Sequence, residues 1–297
     1  MVRRDQGVTL IELLIAMVIA TLLVAAMYSF FLTQQRTYAV QDNVAEMQQN
    51  ARMALLTLVR TVRMAGYGAP ASCTIAPVNS TTGSDGIFVS DYSVIEMLPD
   101  SEKFYAELTN DVSAGAGTIT VTKTNIDNDP NNNDDFTANK ALIISDGTNT
   151  EGLMIDNNYS AGDSTITFFT GYTLQHNYSS SNTKVFPAIL YNIDDNELTE
   201  NMQPLALNIE DIQFSFQDNN GIWYCTGVSG DQVTPPTDIS SIRVVQLSVV
   251  AKTNVQDAKE TTLSQPSLQD HQTNLNGPDG FRRRIFSTKV HLRNRGL

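Results

Sequence analysis

One carboxylate inside an apolar run constrains this chain more than any other feature. Residues Gly7 to Leu32 read GVTLIELLIAMVIATLLVAAMYSFFL, and from Val8 onward only Thr9, Thr21, Ser29, the amphipathic Tyr28 and Glu12 interrupt the apolar character. As a helix this stretch is long enough to cross a bilayer core of roughly 30 Å. An ionised carboxylate in such a run costs several kcal/mol unless it is paired. A plain anchor has no use for it, so Glu12 marks a function.

What precedes the run is short and polar. Arg3 and Arg4 keep the N-terminus cytoplasmic by the positive-inside bias. A secretory signal has its small-residue cleavage site after the apolar core; here the small residue, Gly7, comes before it. Cleavage after Gly7 removes the basic leader and keeps the helix, with Val8 as the new N-terminus and Glu12 as the fifth residue. The nearest cation for Glu12 is then the α-amine of Val8, or that of a neighbouring chain, and pairing with it fixes axial register between subunits. On Gly7, Thr9-Leu10-Ile11-Glu12-Leu13-Leu14 and the unbroken apolar tail, the stretch resembles the class III signal of type IV pilins and pseudopilins. Val8 stands where that signal usually has phenylalanine. The resemblance implies removal of Met1–Gly7 by a prepilin peptidase, N-methylation of Val8, and assembly helix by helix into a fibre. A signal anchor with an incidental glutamate is the plainer alternative.

Beyond Leu32 the helix is expected to continue with changed character. Val40, Val44, Met47, Ala51, Ala54/Leu55, Leu58 and Val62 recur at three- and four-residue spacings, with polar residues between them. No proline interrupts residues 8–64, and Gly66 offers a stop. From Gly66 the texture is β, with short strands at Gly86–Ser90, Thr118–Thr122, Ala141–Ser145, Gly152–Ile155 and Thr165–Phe169 between Asn, Asp, Gly and Ser clusters. Residues 110–121 and 157–168 resemble each other at an offset of 47, which suggests two equivalent hairpins in one small barrel or sandwich, or a duplicated unit. The last third reads as another sheet: Val185–Asn192 with Glu197–Thr199, then Ile209–Gln217, Gly221–Thr226, Ile239–Thr253 and residues 285–292, with a polar excursion over 254–280.

At this point the resemblance narrows. The helix ending Arg63-Met-Ala-Gly-Tyr-Gly, the segments Ile209-Glu-Asp-Ile-Gln-Phe-Ser-Phe and Ile242-Arg-Val-Val-Gln-Leu-Ser-Val-Val-Ala, and the ending Arg284-Ile-Phe-Ser-Thr-Lys-Val-His-Leu-Arg-Asn-Arg resemble the PilW family of minor pilins. That family is related to the J-type minor pseudopilins of type II secretion. The resemblance covers residues 7–68 and 185–297 well and the centre in position only. It implies an α+β fold: a long N-terminal helix on a mostly antiparallel β-sheet head with an inserted β module. The expected organisation is a leader over 1–7, the helix over 8–65 (8–32 in the membrane), a linker with first strands over 66–100, the inserted module over 101–184, and the C-terminal sheet over 185–297. The expected place is the bacterial inner membrane, head in the periplasm, and then the fibre tip. The implied partners are other minor pilins, the major pilin, the prepilin peptidase, the inner-membrane assembly platform and membrane lipid. A type II secretion pseudopilin, or an adhesin displayed on the fibre through the 101–184 insert, are the alternatives.

Little else points to chemistry. A net charge of −13 argues against generic nucleic-acid binding. Cys73 and Cys225, the chain's two cysteines, lie beyond the span, where an oxidising periplasm permits a disulfide; two buried thiols are the alternative. Residues 127–135 (DNDPNNNDD) alternate oxygen ligands as a calcium loop does, without its sixth-position glycine or twelfth-position glutamate, so a solvated acidic loop is the better reading. Arg282, Arg283, Arg284, Lys289, Arg293 and Arg295 form a basic tail, read either as a solvated edge strand or as a docking surface for an acidic neighbour. His176, His271 and His291 lack metal-ligand spacing, and no nucleophile elbow or phosphate loop is present. Neither an active site, a metal nor a cofactor is expected.

Overall fold

Helix α1 spans Leu10–Met64 without a break. The computed structural model describes residues 9–78, 83–95, 104–127, 129, 135–228, 231–232, 234–257, 268–269 and 279–294. The chain divides into two compact units, Met1–Glu46 and Met47–Leu297. In the first, the apolar side chains of α1 face outward: Leu13, Leu22 and Phe30 are each more than 60% exposed. The hydroxyls of the run return to the helix's own carbonyls, Thr21 to Val18 at 2.8 Å and Ser29 to Ala26 at 3.0 Å. Such bonds hide polar groups that an apolar medium would leave unsatisfied. The helix is long and apolar enough to cross a membrane.

In the second unit the expected stripe is the buried one: Met47, Ala51, Ala54, Leu58 and Val62, each at most 1% exposed. Thr61 joins them, its hydroxyl 3.0 Å from the Tyr191 hydroxyl, which donates in turn to Glu200 at 2.9 Å.

The strands, in chain order, are β1 (Ile75–Val78), β2 (Gly86–Ser90), β3 (Ala106–Glu107), β4 (Thr118–Thr120), β5 (Ala141–Ser145), β6 (Thr150–Met154), β7 (Thr165–Thr167), β8 (Lys184–Asp194), β9 (Glu197–Glu200), β10 (Gln203–Leu207), β11 (Ile209–Asp218), β12 (Trp223–Tyr224), β13 (Ile242–Lys252) and β14 (Arg283–His291). The first sheet runs β1-β2-β8-β5-β6, with β3 and the β9–β10 ribbon also joined through β8. The second runs β12-β11-β13-β14, and β4 pairs with β7 alone. All these strand pairings are antiparallel.

Three features differ from the sequence reading. The 101–184 stretch is not confined to a sheet of its own: β4 and β7 pair alone, but the other strands join the first sheet. Its β5 pairs with β8 from Ala141↔Ala188 to Ser145↔Lys184, and Leu142, Ile143 and Phe186 share one core cluster with Phe88 and Cys73. Gly152 sits where any Cβ would strike the Phe88 ring, so the two halves of that sheet meet without a gap. Second, the two similar segments are not parallel copies of a hairpin; they pair with each other. Ile119 lies opposite Ile166, its own equivalent at the offset of 47. The bridge Leu108↔Val121 repeats as Ile155↔Phe168, and the bond from Val121 N–H to Ser164 repeats as Phe168 N–H to Gly117. A local two-fold axis therefore passes between Ile119 and Ile166, both at most 1% exposed. Third, Ile239–Ser241 is a 3-10 turn rather than the start of β13. The polar excursion over 254–280 lies mostly outside the described residues.

In β11 the apolar set Ile212, Phe214 and Phe216 is buried as alternation requires, but the opposite set, Asp211, Gln213 and Ser215, is buried too. Gln213 donates to Asp211 at 2.9 Å and to the Gly83 carbonyl at 3.1 Å, and Ser215 donates to the Cys225 carbonyl at 2.8 Å. Buried polar side chains persist where such bonds replace water.

Candidate assembly site

The N-terminus of α1 is closed by its own side chains. The Glu12 carboxylate accepts from the Thr9 N–H and the Thr9 hydroxyl, both at 2.9 Å, and the Glu12 N–H donates back to the Thr9 hydroxyl at 3.4 Å. This is a capping box, in which a residue before the helix and one three positions on satisfy each other's backbone donors. Both bonds to the carboxylate fall on Oε2. Among the described residues Oε1 accepts nothing, so one oxygen stays available to a cation. The sequence reading singled out Glu12 and passed over Thr9, although the T-x-x-E spacing before an apolar run is the signal that finds it. Gly7 and Val8 lie outside the described residues.

The far end of the helix is closed by the chain's last segment. The Asn294 side-chain amide donates to the Met64 carbonyl at 3.2 Å, beside the Tyr67 N–H, which donates to the same oxygen at 3.2 Å. Gly66 has a φ of +82° and a Cβ there would collide with the Asn294 carbonyl oxygen. Its N–H donates to the Ser90 hydroxyl at 2.7 Å. The Leu-Arg-Asn ending thus acts as a C-cap, a role its position in sequence does not reveal.

Cys73 and Cys225 are both free thiols in this structure, so the expected disulfide is not shown. Cys73 is fully buried beside β8, its thiol donating toward the Lys184 carbonyl at 3.7 Å, and burial pushes its pKa up to about 12. Cys225 is equally buried, in the left-handed region at φ 57° just after β12 in the other sheet. Cys73 closes the 3-10 turn Ala71–Cys73 beside the first sheet, and Cys225 follows β12 of the second.

The acidic loop also departs from its reading. Asp127, Asp129 and Asp135 are at most 9% exposed rather than solvated. Asp127 accepts from the Asp129 N–H at 3.0 Å, and Asp135 accepts from the Ile126 N–H. Residues 128 and 130–134 lie outside the described residues, and among those described no group of three acidic, His or Cys side chains could hold a metal. His176 is held at 2.6 Å by Glu151, which also accepts from Tyr178 at 3.1 Å; His291 is exposed on β14, and His271 is outside the described set.

Much of the basic tail is neutralised within the head. Arg283, only 6% exposed at its side chain, bridges Glu210 at 2.6 Å and Asp279, while Arg282 pairs with Asp257 at 2.6 Å. The Arg283 hydrogen bond holds the Asp279 carboxyl below the usual carboxylate range. Lys289 lies over the Trp223 ring at 4.4 Å. Arg295 is outside the described residues. Arg282 and Arg283 are thus paired within the head, while Arg284, Lys289 and Arg293 are exposed.

With the geometry in view, comparison with known proteins gives a consistent picture. Residues 172–294 match the family model described as Type IV Pilus-assembly protein W, and residues 2–28 match the prokaryotic N-terminal methylation motif. No curated protein matches. Among solved structures, the type IV-like pilin TTHA1219 from Thermus thermophilus is similar over 87% of this chain and 98% of its own, at 14% identity and a TM-score of 0.34. The methylation motif at one end and the PilW match over residues 172–294 at the other make the chain similar to type IV pilins of the PilW family, which points to a structural protein.

Proposed function

We propose that the protein is a minor pilin that helps initiate pilus assembly with other minor pilins and resides at or near the fibre tip. Before assembly it is held in the inner membrane by α1, with its N-terminus cytoplasmic and its head periplasmic. The prepilin peptidase removes Met1–Gly7 and Val8 is methylated. Glu12 then pairs with an N-terminal amine, its own or a neighbour's, and sets the register between helices. The observation that carries this reading is an outward-facing apolar run, Leu10–Leu32, whose one carboxylate, Glu12, sits near its start with one oxygen that accepts nothing among the described residues.

Glu12→Ala tests it. Removing a charge from an apolar run makes insertion easier, so membrane levels are expected to hold. Assembly is expected to fail, because the partner cation is left buried without its counter-charge. Thr9→Ala, which removes only the hydroxyl half of the cap, is expected to assemble. Surface pilus counts and co-purification with other minor pilins from membranes are the measurements. Wild-type values of both for Glu12→Ala overturn the proposal.

A further inference from the structure

At one corner of the head the two sheets meet through a lysine, an asparagine and a glutamate. Lys252 is the last residue of β13, in the second sheet, and Asn196 lies in the tight turn between β8 and β9, in the first. The Lys252 ammonium donates to the Asn196 side-chain oxygen at 2.6 Å. A nitrogen held on an amide oxygen so closely lies about 3–4 Å from the amide carbon, the outer edge of a near-attack arrangement. The third member is Glu210 on β11, whose Oε1 is 3.7 Å from the Lys252 Nζ. The ammonium therefore sits closer to the amide than to the carboxylate, and a simple ion pair does not account for the asparagine.

All three groups are held in place. Asn196 has a φ of 63° and its carbonyl accepts from the Ile209 N–H at 2.9 Å, while the Lys252 N–H donates to the Asn208 carbonyl at 3.0 Å. Arg283 fixes the glutamate, donating from Nε to Oε2 at 2.6 Å and from Nη2 to Oε1 at 2.8 Å. The corner is also screened from water: the Lys252 and Glu210 side chains are 17% and 12% exposed, and the Phe281 ring lies 5.2 Å from Nζ. An amine, an amide and a proton carrier in fixed contact are the parts that exchange one amide nitrogen for another.

We infer that Lys252 and Asn196 form an intramolecular isopeptide bond, with Glu210 as the proton carrier. Glu210 takes a proton from the Lys252 ammonium, and the freed amine attacks Cγ of Asn196. The Nζ–Cγ bond forms and the Cγ–Nδ2 bond breaks. Of the ammonium's three protons, one stays on the new amide nitrogen and two leave with Nδ2 as an ammonium ion. Glu210 ends ionised, as it began, and neither an oxidant nor water is consumed. The bond joins the first sheet to the second, in a head whose two cysteines are free thiols. It does not depend on where in a fibre the subunit sits.

Mass spectrometry of the full-length protein purified from membranes provides the test. The wild type is expected to be lighter by about 17 Da, the mass of one ammonia, than its sequence and N-terminal processing require. Trypsin is expected to leave the chain uncut after Lys252 and to yield a branched peptide that joins it to the segment around Asn196. Lys252→Arg keeps the positive charge without a nucleophilic amine and is expected to restore the full mass. Glu210→Gln removes the proton carrier, and the linked fraction is expected to fall at least about tenfold. Three results each overturn the inference: wild-type protein of full mass that trypsin cuts after Lys252, a mass deficit that persists in Lys252→Arg, or linkage at the wild-type level in Glu210→Gln. The second of these is the result given by an asparagine that closes on its own backbone instead.

Discussion

One helix serves two regions by opposite rules. In Leu10–Glu46 no side chain of α1 is buried, and over Leu10–Leu32 the apolar residues wrap the whole circumference. In Met47–Met64 the apolar residues collapse to a stripe, and Met47, Ala51, Ala54, Leu58, Thr61 and Val62 are buried. A helix apolar all round belongs in an apolar surrounding or against other helices, and a striped one belongs on a folded core. The change of pattern thus separates the part that meets other molecules from the part that stabilises the head. Substitutions in the first part are expected to alter processing and assembly and leave the head's stability unchanged. Those at the buried positions of the second are expected to do the reverse.

The largest effect is expected at the start. Gly7→Val places a branched side chain where the peptidase must approach a flexible backbone, and cleavage is expected to stop entirely. N-terminal sequencing is expected to show the leader retained, while the head's melting temperature stays that of the wild type. Mature protein beginning at Val8 in this variant contradicts the assignment. A shifted melting temperature breaks the separation of the two regions.

The converse comes from Gly152. A valine there drives its side chain into the Phe88 ring, between β2 and β6. Overpacking of this kind costs about 1–3 kcal/mol, and more where a ring cannot move. Denaturation of the purified head is expected to register the loss, and cleavage after Gly7 is expected to proceed. Unchanged stability means that the Phe88 ring has room to turn.

The comparison also shows what the sequence carries. Local, periodic signals were legible: the helix without proline, the stripe of Met47 to Val62, and strands such as Gly86–Ser90 and Ala141–Ser145, matched residue for residue. What stayed hidden is pairing between distant residues. Likeness of residues 110–121 and 157–168 says that two segments are equivalent. It does not say that Ile119 and Ile166 face each other, because alternation fixes which face a side chain takes and leaves the partner strand open. The same limit explains β5, which looked like part of a separate insert and is a neighbour of β8. It explains the cysteines as well. Two thiols in one compartment can bond only if the fold brings them together, and spacing along the chain does not say whether Cys73 and Cys225 meet.

That last point has a chemical readout. With the Cys73 thiol raised to about 12, almost no thiolate forms at pH 8 in the folded head. Alkylation at that pH without reductant is expected to spare it until the head is unfolded, and then to modify both cysteines. A linked Cys73–Cys225 peptide in non-reducing maps contradicts the structure. The sign for stability follows from the raised value. Below about pH 9 the thiol is protonated in both states and the contribution is constant. As pH climbs from there toward 12, the unfolded thiol ionises first, so the folded head loses stability over that window.

The smallest effect tests the seam between helix and chain end. Asn294 donates its side-chain amide to the Met64 carbonyl, and that bond is the side-chain cap on the helix C-terminus. Asn294→Ala removes the donor and leaves the rest of the segment in place, since Leu292 is still bonded through its N–H to the Arg243 carbonyl at 3.1 Å. The expected cost is about 1 kcal/mol, the usual value of one such hydrogen bond. Asn294→Asp is expected to cost more, although it is nearly the same size. It cannot donate to the carbonyl, and it sets a negative charge against the negative end of the helix dipole. Lowering the pH through the ordinary carboxylate range neutralises the aspartate and is expected to bring its stability up toward that of alanine. The order wild type, alanine, aspartate at neutral pH, narrowing in acid, is the signature of a cap. Equal stabilities for aspartate and alanine at neutral pH show instead that the Tyr67 N–H, which already donates to the Met64 carbonyl at 3.2 Å, serves that oxygen alone.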